Sequence, residues 1–148
     1  MRVMKPTAAM VTILTGAALL AACSQGPGPS ARSRLPVYSS DTKGAAKKCE
    51  APSATPATGQ SVEATMKVGN DGGWCGLYVH QDGPKPFDAG LLIKRPTYGS
   101  VTIHTVGDDT RIDYVPDPGY AGADTFGVKL LPGASIVQVT VTVTKAGS

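Results

Sequence analysis

From residue 59 onward, apolar and polar side chains alternate in short runs separated by Gly, Pro, Asn and Asp. The last run is the clearest: Val137, Val139, Val141 and Val143 alternate with Gln138, Thr140 and Thr142. On a pleated strand that pattern puts a valine row on one face and a wettable row on the other. The same period of two, bounded by turn residues, predicts strands near 62–68, 76–80, 90–94, 100–105, 111–115, 125–130 and 136–144. Turn chemistry falls between them, at Asn70-Asp71-Gly72-Gly73, Asp82-Gly83-Pro84, Gly107-Asp108-Asp109 and Leu131-Pro132-Gly133. No ten-residue stretch beyond the N-terminal region shows helical spacing. About seven strands at regular intervals predict an all-β fold, a single β-sandwich over 59–148.

Two segments of different character precede it. Arg2 and Lys5 lead into an apolar run over 8–20 that ends in the small residues Ala21 and Ala22, the layout of an export signal covering 1–22. That run has 13 residues, whereas a bilayer-spanning helix takes about 20, so no permanent transmembrane segment is expected there. Residues 23–58 are rich in Gly, Pro, Ser and Ala without apolar periodicity, a composition that buries too little surface to offset the entropy of ordering it. They read as a tether. If 24–48 is flexible, its 25 residues have an end-to-end distance of ~25–30 Å and a stretched limit of ~85 Å.

The four residues closing the apolar segment, Leu20-Ala21-Ala22-Cys23, resemble the lipobox of bacterial lipoproteins. The resemblance implies that Cys23 carries a diacylglycerol on its thiol, that cleavage falls just before it, and that the bilayer is a partner through acylated Cys23. Two or more acyl chains, at about 0.8 kcal/mol per buried methylene, give stable attachment. Ser24 follows the cysteine where lipoproteins retained at an inner membrane typically have Asp, so the resemblance points to the outer membrane, facing either the periplasm or the cell surface.

Removing 1–22 leaves 126 residues with 12 basic and 11 acidic side chains, because only Arg2 and Lys5 leave with the signal. So balanced a charge makes no case for nucleic acid as a partner. With Cys23 assigned to lipid, Cys49 and Cys75 remain as an even pair in an exported chain and read as a disulfide. The 27-residue loop they would close is worth ~3.5 kcal/mol in the chain-entropy model. A thiolate metal site is the competing reading. Two cysteines so far apart, with no C-x-x-C and no nearby histidines, make a poor zinc frame.

Within the predicted strands, Gly99-Ser100-Val101-Thr102-Ile103 is followed by Tyr114-Val115-Pro116-Asp117-Pro118-Gly119-Tyr120-Ala121-Gly122-Ala123-Asp124-Thr125-Phe126 and then by the Val/Thr run over 137–143. This third of the chain resembles the second half of the bacterial Ig-like and cadherin-like domains repeated in surface proteins. The resemblance implies an Ig-like sandwich and gives the thirteen-residue element a structural role. Tyr114, Tyr120 and Phe126 are expected to anchor the core. Pro116 and Pro118 would hold the connection extended, Gly119 and Gly122 would permit positive φ, and Asp124 would accept backbone N–H bonds. The chain departs from the family in having one copy and in carrying Cys49 and Cys75, with Trp74 beside the second. Because Cys49 lies ahead of the first strand, a bridge to Cys75 is expected to pin the arm to the domain.

Reactive constellations were sought in the remaining residues. His80 and His104 fall on separate predicted strands, and no G-x-S-x-G, H-E-x-x-H or phosphate-cradling loop occurs. Ser40-Asp41-Thr42-Lys43 matches S-x-x-K without its partner motifs. Asp108, Asp109, Asp113, Asp117 and Asp124 match no calcium loop and read as turn aspartates. Trp74, Leu77, Tyr78 and Phe87 read as core more than as an exposed aromatic patch. The expectation is therefore a non-enzymatic interaction or structural module without cofactor or metal, its partner an envelope protein or glycan. The alternative is an inhibitor or ligand-binding lipoprotein whose loops over 82–88 or 131–134 enter the cleft of an envelope hydrolase.

Overall fold

The computed structural model describes residues 35–147; the signal segment 1–22 and Cys23 with its expected acylation lie outside the described residues. Eight strands form: β1 (Cys49–Glu50), β2 (Ser61–Asn70), β3 (Cys75–Val79), β4 (Ala89–Lys94), β5 (Gly99–Val106), β6 (Asp109–Pro116), β7 (Gly122–Leu131) and β8 (Ser135–Lys145). Strands β2 to β8 coincide with the seven expected from alternation. The two-residue β1 and a 3-10 turn at Ser39–Thr42 lie in the segment expected to be a tether. Among the described residues, no helix is long and apolar enough to cross a membrane.

The strands form two packed sheets, in the orders β1-β2-β8-β7-β4 and β3-β6-β5. All neighbours are antiparallel except β2 and β8, which run parallel from Ser61↔Ile136 to Asn70↔Lys145. The core between the sheets takes Met66 and Val68 from β2, Leu77 from β3, Ile112 and Tyr114 from β6, Phe126 and Val128 from β7 and the valine row of β8. Those valines are buried while Thr140 and Thr142 face solvent, as the period-two pattern requires. One end of the sandwich gathers the 80–88 and 132–134 loops and the turn at Gly107. The other gathers the 71–74 turn and the 95–98 and 117–121 connections.

Strand β6 departs from alternation. Ile112 and Tyr114 point into the core, and Arg111 and Asp113, on the opposite face, are also buried, at 2% and 5% exposure. The reason is the arm. The described part of the expected tether, from Leu35 to the start of β2, lies against the domain. It runs up the outer face of β3-β6-β5, is clasped by the Cys49–Cys75 bridge, and returns beside β3. Ala46 N–H donates to the Trp74 carbonyl at 2.8 Å and Trp74 N–H to the Gly44 carbonyl at 3.0 Å. Lower down, Ala54 N–H donates to the Tyr78 carbonyl at 2.9 Å and His80 N–H to the Ala54 carbonyl at 3.0 Å. The arm is thus held by backbone hydrogen bonds to an edge strand, a form of ordering that needs no apolar periodicity.

Candidate functional site

The thirteen-residue element braces the sandwich where β6 turns into β7. Tyr114 and Phe126 are fully buried, with ring centroids 5.9 Å apart and planes within 8°. Asp124 accepts N–H bonds from Thr97 (2.9 Å), Tyr98 (2.9 Å) and Thr125 (2.8 Å). The Tyr114 hydroxyl donates to Asp124 Oδ2 at 3.0 Å and leans on the Tyr98 carbonyl at 3.2 Å. Burial by itself raises the Asp124 pKa, but the three N–H groups and the tyrosine hydroxyl favour the charged form and hold it below the usual carboxylate value. Burial, reinforced by that carboxylate, pushes the Tyr114 hydroxyl well up. One carboxylate therefore ties β7 to the 95–98 connection.

Tyr120 sits differently from its two companions. It is half-buried at the rim, stacked on Tyr98 at 4.2 Å with planes 11° apart, and its hydroxyl donates to the Ala123 carbonyl at 2.6 Å. Pro116 is buried at the end of β6. Gly119 and Gly122 have φ of 77° and 150°, and a Cβ on Gly122 would stand 2.8 Å from the Tyr120 hydroxyl. Asn70, which its sequence context marks only as a turn residue, donates its amide to the carbonyls of Asp117 (2.7 Å) and Tyr120 (2.9 Å) and so holds this connection to β2.

Beneath the arm lies an ionic cluster that alternation gave no reason to expect. The Arg111 guanidinium grips Asp113 with two bonds, Nε to Oδ1 at 2.8 Å and Nη2 to Oδ2 at 2.9 Å. Its Nη1 donates to the backbone carbonyl of Asp41 in the arm. The Trp74 ring covers the guanidinium at 3.8 Å, and the indole N–H donates to the Lys43 carbonyl at 2.8 Å. Gly76 makes room for the pair, since a Cβ there would meet Asp113 Oδ1 at 2.7 Å and Arg111 Cδ at 2.8 Å. Burial lowers the Arg111 pKa, but Asp113 and Tyr78 outweigh it, so the net direction is upward and the group is a fixed cation. His104 Nε2 lies 2.9 Å from Asp113 Oδ2 on the neighbouring strand.

The two histidines are not brought together. His80 pairs with Asp109 at 2.7 Å and His104 faces Asp113. The acidic set is likewise dispersed: Asp108 receives the Leu35 N–H at 3.4 Å, Asp113 serves Arg111 and Asp124 serves the 95–98 connection. Among the described residues, no group of three or more His, Cys, Asp or Glu side chains is placed to hold a metal ion. Of the four candidate patch residues, Leu77 and Phe87 are buried, and Trp74 and Tyr78 flank Arg111.

A cleft of about 310 Å³ opens at the loop end of the sandwich. Both loops singled out in the sequence line it, through Gln81, Asp82, Lys85 and Phe87 on one side and Pro132 and Gly133 on the other, with Ser135 behind. The Asp88 N–H ties the two loops by donating to the Leu131 carbonyl at 2.8 Å. Pro56 and Thr58 from the returning arm complete the wall, held by the Ser135 hydroxyl on the Ala57 carbonyl at 2.9 Å. Sequence reading missed these two because their segment has no periodicity. The described residues thus form a disulfide-clasped β-sandwich with a loop-built cleft at one end. Compared with known proteins, the chain matches no family model, no curated protein and no solved structure.

Proposed function

We propose that the protein is a membrane-anchored envelope lipoprotein that presents an Ig-like β-sandwich as a non-enzymatic interaction or structural module. The observation that carries this reading is the placement of the polar chemistry. Arg111, Asp113 and Asp124 are consumed in holding the fold, while the cleft at the loop end is built from loops on a rigid scaffold, the usual place for recognition. The lipobox resemblance supports Cys23 as the acylated anchor and, through Ser24, the outer membrane as its address. The Cys49–Cys75 bridge fits an oxidising compartment. The sheet order supports the Ig-like assignment. It is a Greek-key sandwich whose first long strand, β2, lies parallel to the last in the β8-β7-β4 sheet, facing β3-β6-β5. Tyr120 stands where such domains place a tyrosine corner, although its hydroxyl bonds three residues downstream and not upstream.

Intact mass and membrane fractionation of the native protein, beside a Cys23→Ser variant, test the anchor. The expected result is a membrane-bound chain that starts at acylated Cys23 and a variant released from the membrane. An unacylated, freely soluble native chain would overturn it. Convergence of the 82–88 and 131–134 loops on one cleft favours a second reading, an inhibitor or ligand-binding lipoprotein acting on an envelope hydrolase or glycan. That reading expects one hydrolase or glycan to be retained by the wild-type protein and lost in Asp82→Lys/Lys85→Glu, whose side chains line the cleft.

A further inference from the structure

We propose that the loop end of the sandwich is its membrane-facing end, seated on the phospholipid surface by the exposed apolar strip Leu35, Val37 and Tyr38. The inference rests on the acylation of Cys23 proposed above and adds the orientation and the contact surface.

Four contacts place the strip and the cleft at one end. Leu35 N–H reaches Asp108 Oδ1 at 3.4 Å, and Val37 Cγ2 lies 2.9 Å from where a Cβ on Gly107 would stand, so the strip crosses the β5–β6 turn. The residue that follows that turn, Asp109, pairs with His80 at 2.7 Å, where the 80–88 loop begins. Thr110 then accepts the Phe87 N–H on its hydroxyl at 2.9 Å, which brings the turn against the cleft wall.

Chain length supplies the direction. Eleven residues, 24–34, separate Cys23 from Leu35, a reach of at most ~40 Å. Strand β2, ten residues long, spans ~33 Å along the sandwich. To present the opposite end to the leaflet, the chain would have to climb almost the full height of the domain while nearly stretched. With the loop end down, no extension is required.

The strip gives that orientation a favourable contact. Leu35, Val37 and Tyr38 are 46%, 60% and 62% exposed, and transferring them from water to the headgroup and acyl boundary removes apolar surface from solvent. Tyr is suited to that depth, with an apolar ring and a hydroxyl that stays wet. Among the described residues, the other exposed large apolar side chains, Leu91, Ile93 and Tyr98, belong to β4 and the 95–98 connection, farther along the chain from Cys23 than the strip. An orientation with the loop end down turns the cleft toward the leaflet, so its occupant is met at the lipid surface.

The test uses energy transfer. A dye is placed at exposed position 82, at the loop end, or at exposed position 121, at the opposite end. The acceptor is a headgroup-labelled lipid in phosphatidylethanolamine/phosphatidylglycerol vesicles. Two preparations are compared: the protein extracted from its native membrane, and a chain starting at Cys23 coupled through that thiol to a maleimide lipid with the Cys49–Cys75 bridge left intact. The expected result is stronger transfer from position 82 than from 121, with the difference narrowed to what the short tether alone imposes in Leu35→Ser/Val37→Ser/Tyr38→Ser at an unchanged melting temperature. If the native chain stays off the vesicles while the maleimide-coupled chain shows the difference, the acylation reading fails and the orientation stands. Equal or reversed transfer in the coupled chain, or a difference that the triple substitution leaves unchanged, overturns the proposal.

Discussion

The outer faces of the two sheets are built from the same kind of alternating strand and end in opposite environments. On the five-stranded sheet the outward positions include Glu63, Thr65, Lys67, Thr140 and Thr142, all solvent-exposed. On the three-stranded sheet the outward row places Tyr78, Arg111 and His104 in register, next to Gly76, Asp113 and Thr102, and its centre is sealed by the arm. A polar residue in the outward row of a strand thus reports only that it lies on the face away from the other sheet. It does not report that it meets water. The second face is a small polar core of its own, and its energetics follow the rules for buried ions.

The contrast is broken most strongly at Arg111. Removing its side chain in Arg111→Ala leaves buried Asp113 with only the His104 ring beside it, and is expected to cost about 3–5 kcal/mol, read as the loss of unfolding free energy in urea. The double variant Arg111→Met/Asp113→Leu should recover most of that loss, because apolar replacement of a buried pair is often neutral or better. A double variant as unstable as the single would show that the arm, through the Asp41 carbonyl, needs the guanidinium itself.

Next in size is the clasp. Cys49→Ala/Cys75→Ala is expected to cost ~3.5 kcal/mol in the chain-entropy model, and limited proteolysis should then cut first between residues 35 and 48 while the strands stay protected. Early cuts inside β2 or β8 would contradict the assignment of the bridge to the arm.

A smaller effect is expected at Asp124, where the two sheets are joined at the end opposite the cleft. Its folded pKa is depressed, so its contribution is fully present above the unfolded carboxylate value, about 3.9. It is lost as pH falls through the folded value. Asp124→Asn should therefore be less stable than wild type at pH 7, with the gap narrowing as the pH drops below about 4. A gap that stays constant down to pH 2 would mean that the carboxylate charge is not what matters. The smallest change is expected on the wet face, where Thr142→Lys should stay within about 0.5 kcal/mol of wild type by thermal melting.

This comparison also explains what the sequence made legible. Strands β2 to β8 follow from alternation and turn chemistry because the core between the sheets is assembled by side chains of matching period. The bridge followed from cysteine arithmetic, and the roles of Asp124, Gly119 and Gly122 from turn chemistry. Beyond its pinning at Cys49 the arm was illegible, because the rest is ordered by backbone groups around Trp74 and Tyr78, which impose no pattern on residues 35–58. Its trace in the sequence lies on the receiving side. A Cβ on Gly73 would come within 2.4 Å of Ala46 N, so this glycine beside Trp74 marks a backbone-to-backbone approach that turn chemistry alone does not require. The cleft was half legible, since its two loops carry turn signals while Pro56 and Thr58 carry none.

The position of β8 has a consequence for the order of events as the chain is made. It comes last in chain order among the described strands, yet it sits in the middle of the larger sheet, between β2 and β7. Until it has emerged, β2 has no long neighbour and the valine row that lies beside Phe126 and Val128 does not exist. Pairing of β2 with β8 joins residues that are some 75 positions apart, the kind of contact that is slow to form. A polypeptide that leaves a ribosome or a translocation channel N-terminus first therefore stays open until its final strand is free, and a chain stopped before residue 135 should show no cooperative unfolding at all.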